Sequence, residues 1–292
     1  MIERLCIIGV GLIGGSLARA LRQAGAVGEI VGCNRSAESL ARAKELGVID
    51  RAETDPSEAV KDADVVVLAV PMGAMEGVFE RMAPSLKPGA VVTDAGSTKG
   101  HVVTVARNAF GEIPPFLVPG HPIAGTEQSG VEAAFPELYR DRRVILTPVT
   151  ETDREAVALV RWTWEQAGAQ VEEMNVEHHD EVLAATSHLP HMLAYCLVDA
   201  LARMEESKEI FRFAAGGFRD FTRIASSDPR MWHDICFANR TQLLKMLERF
   251  GDDLERLGEA IKSDDSGAVM DIFQRAKTAR DRYRQIDPGS PE

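Results

Sequence analysis

The stretch Leu5-Cys6-Ile7-Ile8-Gly9-Val10-Gly11-Leu12-Ile13-Gly14-Gly15-Ser16 constrains this chain more than any other. An apolar strand runs into a Gly-x-Gly-x-x-Gly turn, and a helix pattern follows with Leu17, Ala18, Leu21 and Ala24 on its apolar face. Each glycine meets a separate need. Gly9 permits the tight turn, Gly11 lets the backbone approach a pyrophosphate, and Gly14 lets the helix pack closely on the sheet. The new helix presents unpaired N–H groups and its positive dipole end to phosphate. With a strand before it and a helix after it, the turn predicts a dinucleotide site. Gly9, Gly11, Leu12, Ile13 and Gly14 are its cofactor-binding residues. The bland alternative is a glycine-rich turn with no ligand.

The second strand ends at Cys33-Asn34-Arg35-Ser36. An acidic residue normally stands near this point and bonds the adenosine ribose. Asn34 does not repel a 2′-phosphate, Arg35 offers it a charge-assisted contact, and Ser36 offers a hydroxyl. This pattern favours NADP over NAD, though an arginine at such an edge is equally a solvated surface charge.

Strand and helix signals alternate onward. Ser36 is positioned to cap a helix through Leu46. Asp64 to Val70, ended by Pro71, is a continuous apolar run of the kind a parallel strand covered on both faces requires. Val70 and Pro71, at its carboxyl end, count with the cofactor-binding residues. Further strands are predicted at Ala90–Thr93, Phe116–Val118, Val144–Thr147 and Gln170–Met174, with a helix at Thr152–Ala167. The alternation implies a doubly wound α/β domain of the Rossmann type with a mostly parallel sheet over residues 1–174. Ligands of such domains sit outside the carboxyl ends of the strands. Ser97 and His121 both fall just past such ends.

From residue 175 the signals are helical. A long helix from Glu177 to Met204 carries Val182, Leu183, Leu189, Leu193, Leu197 and Leu201, and Pro190 is expected to kink or break it. Leu243, Leu247, Phe250, Leu254, Leu257 and Ile261 recur at spacings of four and three, the mark of a helix–helix seam. The last helix carries Val269, Ile272, Phe273, Ala276, Ala279 and Tyr283. An all-α domain over 175–286, too small to bury such long elements alone, is expected to complete its core in a homodimer. The tail 287–292 reads as flexible.

Composition narrows the partners. The 292 residues are 45% hydrophobic and carry a formal net charge of −12, which argues against nucleic acid or an anionic membrane as partner. An anionic substrate then needs local basic residues. There is no span-length apolar stretch, and because the first residues read directly as a strand, no signal peptide is expected. Cys6, Cys33, Cys196 and Cys236 form no close pair and read as reduced, so a cytoplasmic setting is expected.

Three stretches hold ionisable and hydroxyl residues between glycines and prolines. They are Gly120-His121-Pro122-Ile123-Ala124-Gly125-Thr126-Glu127, Thr186-Ser187-His188-Leu189-Pro190-His191, and Gly216 to Arg223 with Ser227 to Trp232 following. Gly120 and Pro122 fix the backbone around His121. A neutral imidazole there is able to take a proton from a substrate hydroxyl as hydride leaves the same carbon; a histidine satisfied by loop carbonyls is the competing reading. Ser187 and His191 share a helix face, as do His188 and His191. A metal site is disfavoured there, because no carboxylate or cysteine stands at ligand spacing. Asp220 and Arg223 form either an intrahelical ion pair or, through Arg223 or Arg219, a clamp for a substrate carboxylate.

GLIGGS, GSTKG, GHPIAGTE, TSHLPH and GGFRDFTRIASSDPRMW together resemble the prephenate and arogenate dehydrogenases, also called cyclohexadienyl dehydrogenases, of tyrosine biosynthesis. The resemblance runs in order through nearly the whole chain. It implies oxidative decarboxylation: the ring carbon bearing the hydroxyl gives hydride to the nicotinamide, the ring carboxylate leaves as carbon dioxide, and the ring becomes aromatic. By similarity His121 deprotonates the ring hydroxyl, Ser97 helps orient that histidine and the hydroxyl, and Arg223 binds a substrate carboxylate. His191, Asp220, Trp232, Ser187 and His188 surround the pocket, and Glu127 is a gating or side-chain contact. Asn34 departs from the acidic residue common in the family, so cofactor choice does not carry over. Prephenate and arogenate are both possible substrates. Competing readings are a β-hydroxyacid-type dehydrogenase, which needs a catalytic lysine where only Lys208, Lys245, Lys262 and Lys277 follow Met174, and a non-catalytic dinucleotide sensor.

Overall fold

In a computed structural model, residues 1–126 and 128–286 of the chain are described. Glu127 and the tail 287–292, both singled out above, lie outside them. The described residues form two compact units, Met1–Gln242 and the segment from Leu243 on.

The first unit is built on a six-stranded parallel sheet of order β3-β2-β1-β4-β5-β6. Its strands are β1 (Ile2–Ile8), β2 (Val27–Cys33), β3 (Arg51–Glu53), β4 (Val65–Leu68), β5 (Val91–Asp94) and β6 (Leu117–Val118). The order reverses between β1 and β4, the switch point at which doubly wound sheets bind ligands. Sequence patterning misses β3, whose three residues are all at least partly exposed. In β4 all four residues are fully buried, with Val65 and Val67 in the core on one face and Val66 and Leu68 in the core on the other. That is the two-sided burial its unbroken apolar run implies.

Helices α1 (Leu12–Gln23), α2 (Ala37–Glu45), α3 (Pro56–Ala59), α4 (Met75–Met82) and α5 (Lys99–Phe110) link the strands. Ser36 caps α2 as expected, its hydroxyl accepting from Ser39 N at 3.1 Å. The expectation of a single sheet through residue 174 needs correction. A second sheet, β7 (Gly120–Pro122), β8 (Arg143–Leu146) and β9 (Gln170–Glu173), stands apart from the first, with α6 (Arg154–Gln166) between its last two strands. β7 runs antiparallel to β8 and pairs His121 with Ile145. The chain leaves the parallel sheet at Pro119, where proline withholds the N–H a continuing strand would donate.

The helical part begins with α7 (Val176–Leu183), then a π-helical turn (Ala184–His188) and α8 (Leu189–Ala202). Pro190 sits in the first turn of α8, and the π turn just ahead of it is the break its ring imposes. α9 (Ser207–Arg212), α10 (Gly216–Thr222), a 3₁₀ turn (Arg223–Ser226) and α11 (Pro229–Ala238) follow, and α12 (Arg240–Lys262) runs into the second unit, which ends with α13 (Ser266–Ile286). On these last two helices Leu254, Ile261, Met270 and Phe273 are all more than half exposed, so the seam read from the sequence is only partly covered within one chain.

Two glycines of the first turn are fixed by sterics. Gly9 has φ +102°, and a Cβ on it would lie 2.3 Å from the Ala69 carbonyl oxygen. A Cβ on Gly14 would lie 2.3 Å from the Gly9 carbonyl oxygen and 2.7 Å from Ile7. Backbone cannot yield there as a flexible side chain can. Gly14→Ala should therefore lower stability in urea unfolding by about 1–3 kcal/mol or more. An unchanged midpoint would contradict the close packing of α1 on β1.

Candidate active site

The turn after β1 is shaped to receive a phosphate. Gly11 is the N-cap of α1, no side chain caps that end, and the first turn holds no acid. A Cβ on Gly11 would meet nothing within 4 Å, so the space beside it is open. Uncapped N–H groups, a favourable dipole and an unobstructed backbone suit the pyrophosphate of a dinucleotide. Leu12 is buried and Ile13 half-buried; Tyr139 donates to the Ile13 carbonyl at 2.6 Å and ties the start of α1 to the loop before β8. Val70 and Pro71 leave the end of β4 beside the turn, where Ala69 N donates to Ile8 O at 2.7 Å.

Asn34 plays a part that its position alone does not reveal. Its Oδ1 accepts from Val10 N at 2.9 Å, and its Nδ2 donates to Val10 O and to Ser39 Oγ, each at 3.2 Å. The amide braces the glycine turn, where an acid could accept but not donate. Arg35 beside it is exposed, and Ser36 uses its hydroxyl on α2.

His121 stands in β7, past the carboxyl ends of β5 and β6. Its backbone is clamped: Gly120 N donates to Asp94 Oδ1 at 3.1 Å, and Lys99 Nζ donates to Gly120 O at 2.5 Å. Lys99 and Asp94 are themselves an ion pair with no exposed surface. The His121 Nδ1 lies 2.9 Å from His179 Nε2, and His179 Nδ1 lies 2.8 Å from Asp180 Oδ1. The ring partner of His121 is thus His179, where the resemblance pointed to Ser97. Ser97 is half-buried at the end of β5, two residues before Lys99.

Asp180 also accepts from Lys99 N and Gly100 N, both at 2.8 Å. It caps α5 from another helix, since the N-cap Thr98 supplies no side-chain bond. Burial pushes its pKa up, but hydrogen bonds from His179 and the two amides outweigh that and hold it below the ordinary value. Burial, with the nearby Lys99 ammonium adding to it, holds His121 well below the usual histidine range. Burial likewise lowers His179 despite the pull of Asp180.

The network continues into the helical part. Asn239 donates from Nδ2 to the Asp180 carbonyl at 2.7 Å and lies 3.1 Å from His188 Nδ1. His188 is buried, and its pKa falls to about 4, burial being the main cause. His191 stacks on the buried Trp232 at 3.6 Å between ring centroids and 21° between planes, and its Nδ1 is 2.9 Å from Ser187 O across the π turn. His121, His188, His191 and Trp232 therefore belong to one connected cluster. Asp220 and Arg223 are exposed, on α10 and on the 3₁₀ turn that follows it. That turn is anchored to α8 by Tyr195, which donates to Ser227 O at 2.6 Å. Among the described residues the structure does not bring Arg223 into hydrogen-bond contact with His121.

His179, Asp180, Asn239 and Lys99 escaped the sequence reading. A signal was present in His178-His179-Asp180, an imidazole and a carboxylate together at a helix start, but nothing local says what they face.

Comparison with known proteins follows the same division. A family model described as prephenate dehydrogenase, nucleotide-binding domain, matches residues 17–173, and one described as prephenate dehydrogenase, dimerization domain, matches residues 175–275. A cyclohexadienyl dehydrogenase of Zymomonas mobilis is 41% identical over 281 residues, covering 95% of this chain and 95% of that protein. A prephenate dehydrogenase of Bacillus subtilis is 36% identical over 283 residues, covering 96% of this chain and 76% of that protein. The crystal structure of prephenate dehydrogenase from A. aeolicus, in complex with hydroxyphenyl propionate and NAD+, has a TM-score of 0.90 at 38% identity, covering 97% of this chain and 99% of that one.

The buried histidines set a pH dependence. A group whose pKa falls from 6.5 to about 4 on folding leaves stability intact above pH 6.5 and withdraws it as the pH drops toward 4. For His188 alone the loss is roughly 3 kcal/mol. Thermal unfolding should show the midpoint falling through that window, with a shallower fall for His188→Asn. An equal slope in the variant would contradict a buried neutral His188.

Proposed function

The chain belongs to the prephenate dehydrogenase family, and from that premise we propose how its own residues perform the reaction. It is a nicotinamide-dinucleotide-dependent dehydrogenase of oxidative decarboxylation in tyrosine biosynthesis. Bound in the glycine turn, the nicotinamide cofactor supplies the hydride acceptor.

His121 is the general base. The observation that carries this is its position: an uncharged imidazole on a clamped backbone, past the carboxyl ends of the strands where ligands of such sheets lie. Its free Nε2 takes the proton of the substrate ring hydroxyl as the hydride leaves the same carbon. The bond from the ring to its carboxylate then breaks, carbon dioxide departs, the electron pair completes the aromatic ring, and the ring oxygen, left as a phenolate, takes its proton back from His121. Aromatisation drives the reaction, so alignment, a base and an anion clamp are what the protein must add. Ser97 contacts the hydroxyl. Arg223 receives a substrate carboxylate, giving the local positive charge that a chain of net charge −12 otherwise lacks. Ser187, His188, His191, Trp232 and Asp220 shape the pocket, and Glu127 is a gating or side-chain contact. Both prephenate and arogenate are candidate substrates.

NADP is the preferred cofactor in this reading, supported by the absence of an acid at Asn34 and by the exposed Arg35. The working form is a homodimer through the helical part. Its support is the family's dimerization domain together with the apolar side chains left open there, among them Phe213, Leu254 and Phe273.

An absorbance assay of the reduced cofactor, with prephenate and then arogenate, tests the activity directly. His121→Asn should lower kcat by about 10²–10⁴-fold with substrate binding retained. Arg223→Ala should instead raise KM on the order of 100-fold, the worth of a lost charged hydrogen bond. Near-normal turnover in His121→Asn would remove the base assignment. Arg35→Ala should raise KM for NADP about tenfold and leave that for NAD unchanged; equal effects on the two cofactors would remove the NADP preference.

A further inference from the structure

We propose that His179 and Asp180 are positioning residues that set which nitrogen of His121 is the base. The inference rests on the reading of His121 as the group that deprotonates substrate. The geometry is a line of three groups. His121 Nδ1 lies 2.9 Å from His179 Nε2, and His179 Nδ1 lies 2.8 Å from Asp180 Oδ1. His179 has no exposed surface, so no water competes for its ring nitrogens.

The proton positions follow from the inventory of donors and acceptors. An ionised carboxylate only accepts. Asp180 already accepts from Lys99 N and Gly100 N, which keeps it ionised and fixes its plane. His179 Nδ1 must then carry the hydrogen that points at Asp180. A neutral His179 has its lone pair on Nε2, and a hydrogen bond to His121 requires that His121 Nδ1 be the donor. The unprotonated nitrogen of His121 is therefore Nε2, the one not engaged with His179. The alternative, a doubly protonated His179, would place a positive charge in a buried site that already holds the Lys99 ammonium. It would also leave the proton of His121 on Nε2 and the lone pair turned away from substrate.

The same line of groups serves the moment of proton transfer. When His121 Nε2 takes the hydroxyl proton, the ring becomes an imidazolium with its Nδ1–H still bonded to His179. The new charge faces the carboxylate of Asp180 through one neutral ring, and the proton stays on His121. Orientation and charge compensation of this kind act without contact between the positioning residues and the substrate. Asp180 is also the cap of α5, so its removal would mix two effects; His179 is the cleaner position to change.

The experiment combines kinetics with a reading of the ring itself. His179→Leu, which cannot accept, should lower kcat at least about 100-fold with KM for substrate and cofactor within about twofold of the wild type. His179→Gln, whose amide oxygen is able to accept from His121 Nδ1, should recover most of that loss. ¹⁵N spectra of the histidine-labelled wild-type chain at neutral pH, assigned by comparison with His121→Asn, should give His121 a protonated Nδ1 and an unprotonated Nε2. A proton on Nε2 of His121, or a His179→Leu kcat within about threefold of the wild type, overturns the proposal. The spectrum decides the question even where His179→Leu does not fold. A wild-type chain inert toward both prephenate and arogenate would instead overturn the assigned activity, with the ¹⁵N result still reporting on the three groups.

Discussion

The carboxylate of Asp180 is the contact on which the site depends. It comes from α7, yet it closes the first turn of α5 by accepting from Lys99 N and Gly100 N. A helix end without such partners leaves donors unpaired, and Thr98 supplies none from its side chain. Through its other contacts the same residue orients His179, and its carbonyl receives Asn239 from the end of α11. One buried group thus joins the nucleotide-binding half, His121 through His179, and the start of the helical half. α7 to α11 belong to the same compact unit as the parallel sheet, joined to it by this contact, by the bond from Gly73 N to Asp234, and by Trp232 and Ile235 in its core.

Around that contact the protein keeps charge in one place and imidazoles neutral in another. Lys99 and Asp94 are both fully buried, a costly arrangement that is tolerable because each is otherwise satisfied. Asp94 accepts from Gly96 N and Gly120 N, and Lys99 donates to Gly120 O. The pair therefore holds the backbone of β7 as well as itself. Burial lowers Lys99 while Asp94 raises it, and the Lys99 charge helps depress the nearby histidines. Burial and that charge together favour the neutral form of His121, the state a base needs before it can accept a proton.

Local chemistry was legible in the sequence wherever it is decided within a few residues. The glycine turn, the two-sided burial of Val65–Leu68, the Ser36 cap and the break at Pro190 all follow from neighbours along the chain. The parts that depend on distant partners were not. His121 and His179 are 58 positions apart, Lys99 and Asp180 are 81 apart, and neither pair leaves a periodic trace. The second sheet escaped for a related reason, since β8 and β9 carry ordinary strand signals that do not say which sheet they join. Asn34 was legible as a departure from an acid but not as the brace of Val10, because that partner follows the neighbouring strand, 24 residues earlier in the chain. Arg223 was legible as a motif residue, and the structure places it on the exposed turn after α10.

The most direct test of the account is a crystal structure of the chain with NADP and a non-reactive substrate analogue. The ring hydroxyl should lie within about 3 Å of His121 Nε2, with a carboxylate of the same molecule on the Arg223 guanidinium of that copy or of its partner. An analogue bound with its hydroxyl out of reach of His121, or held with Arg223 of neither copy near it, would contradict the account.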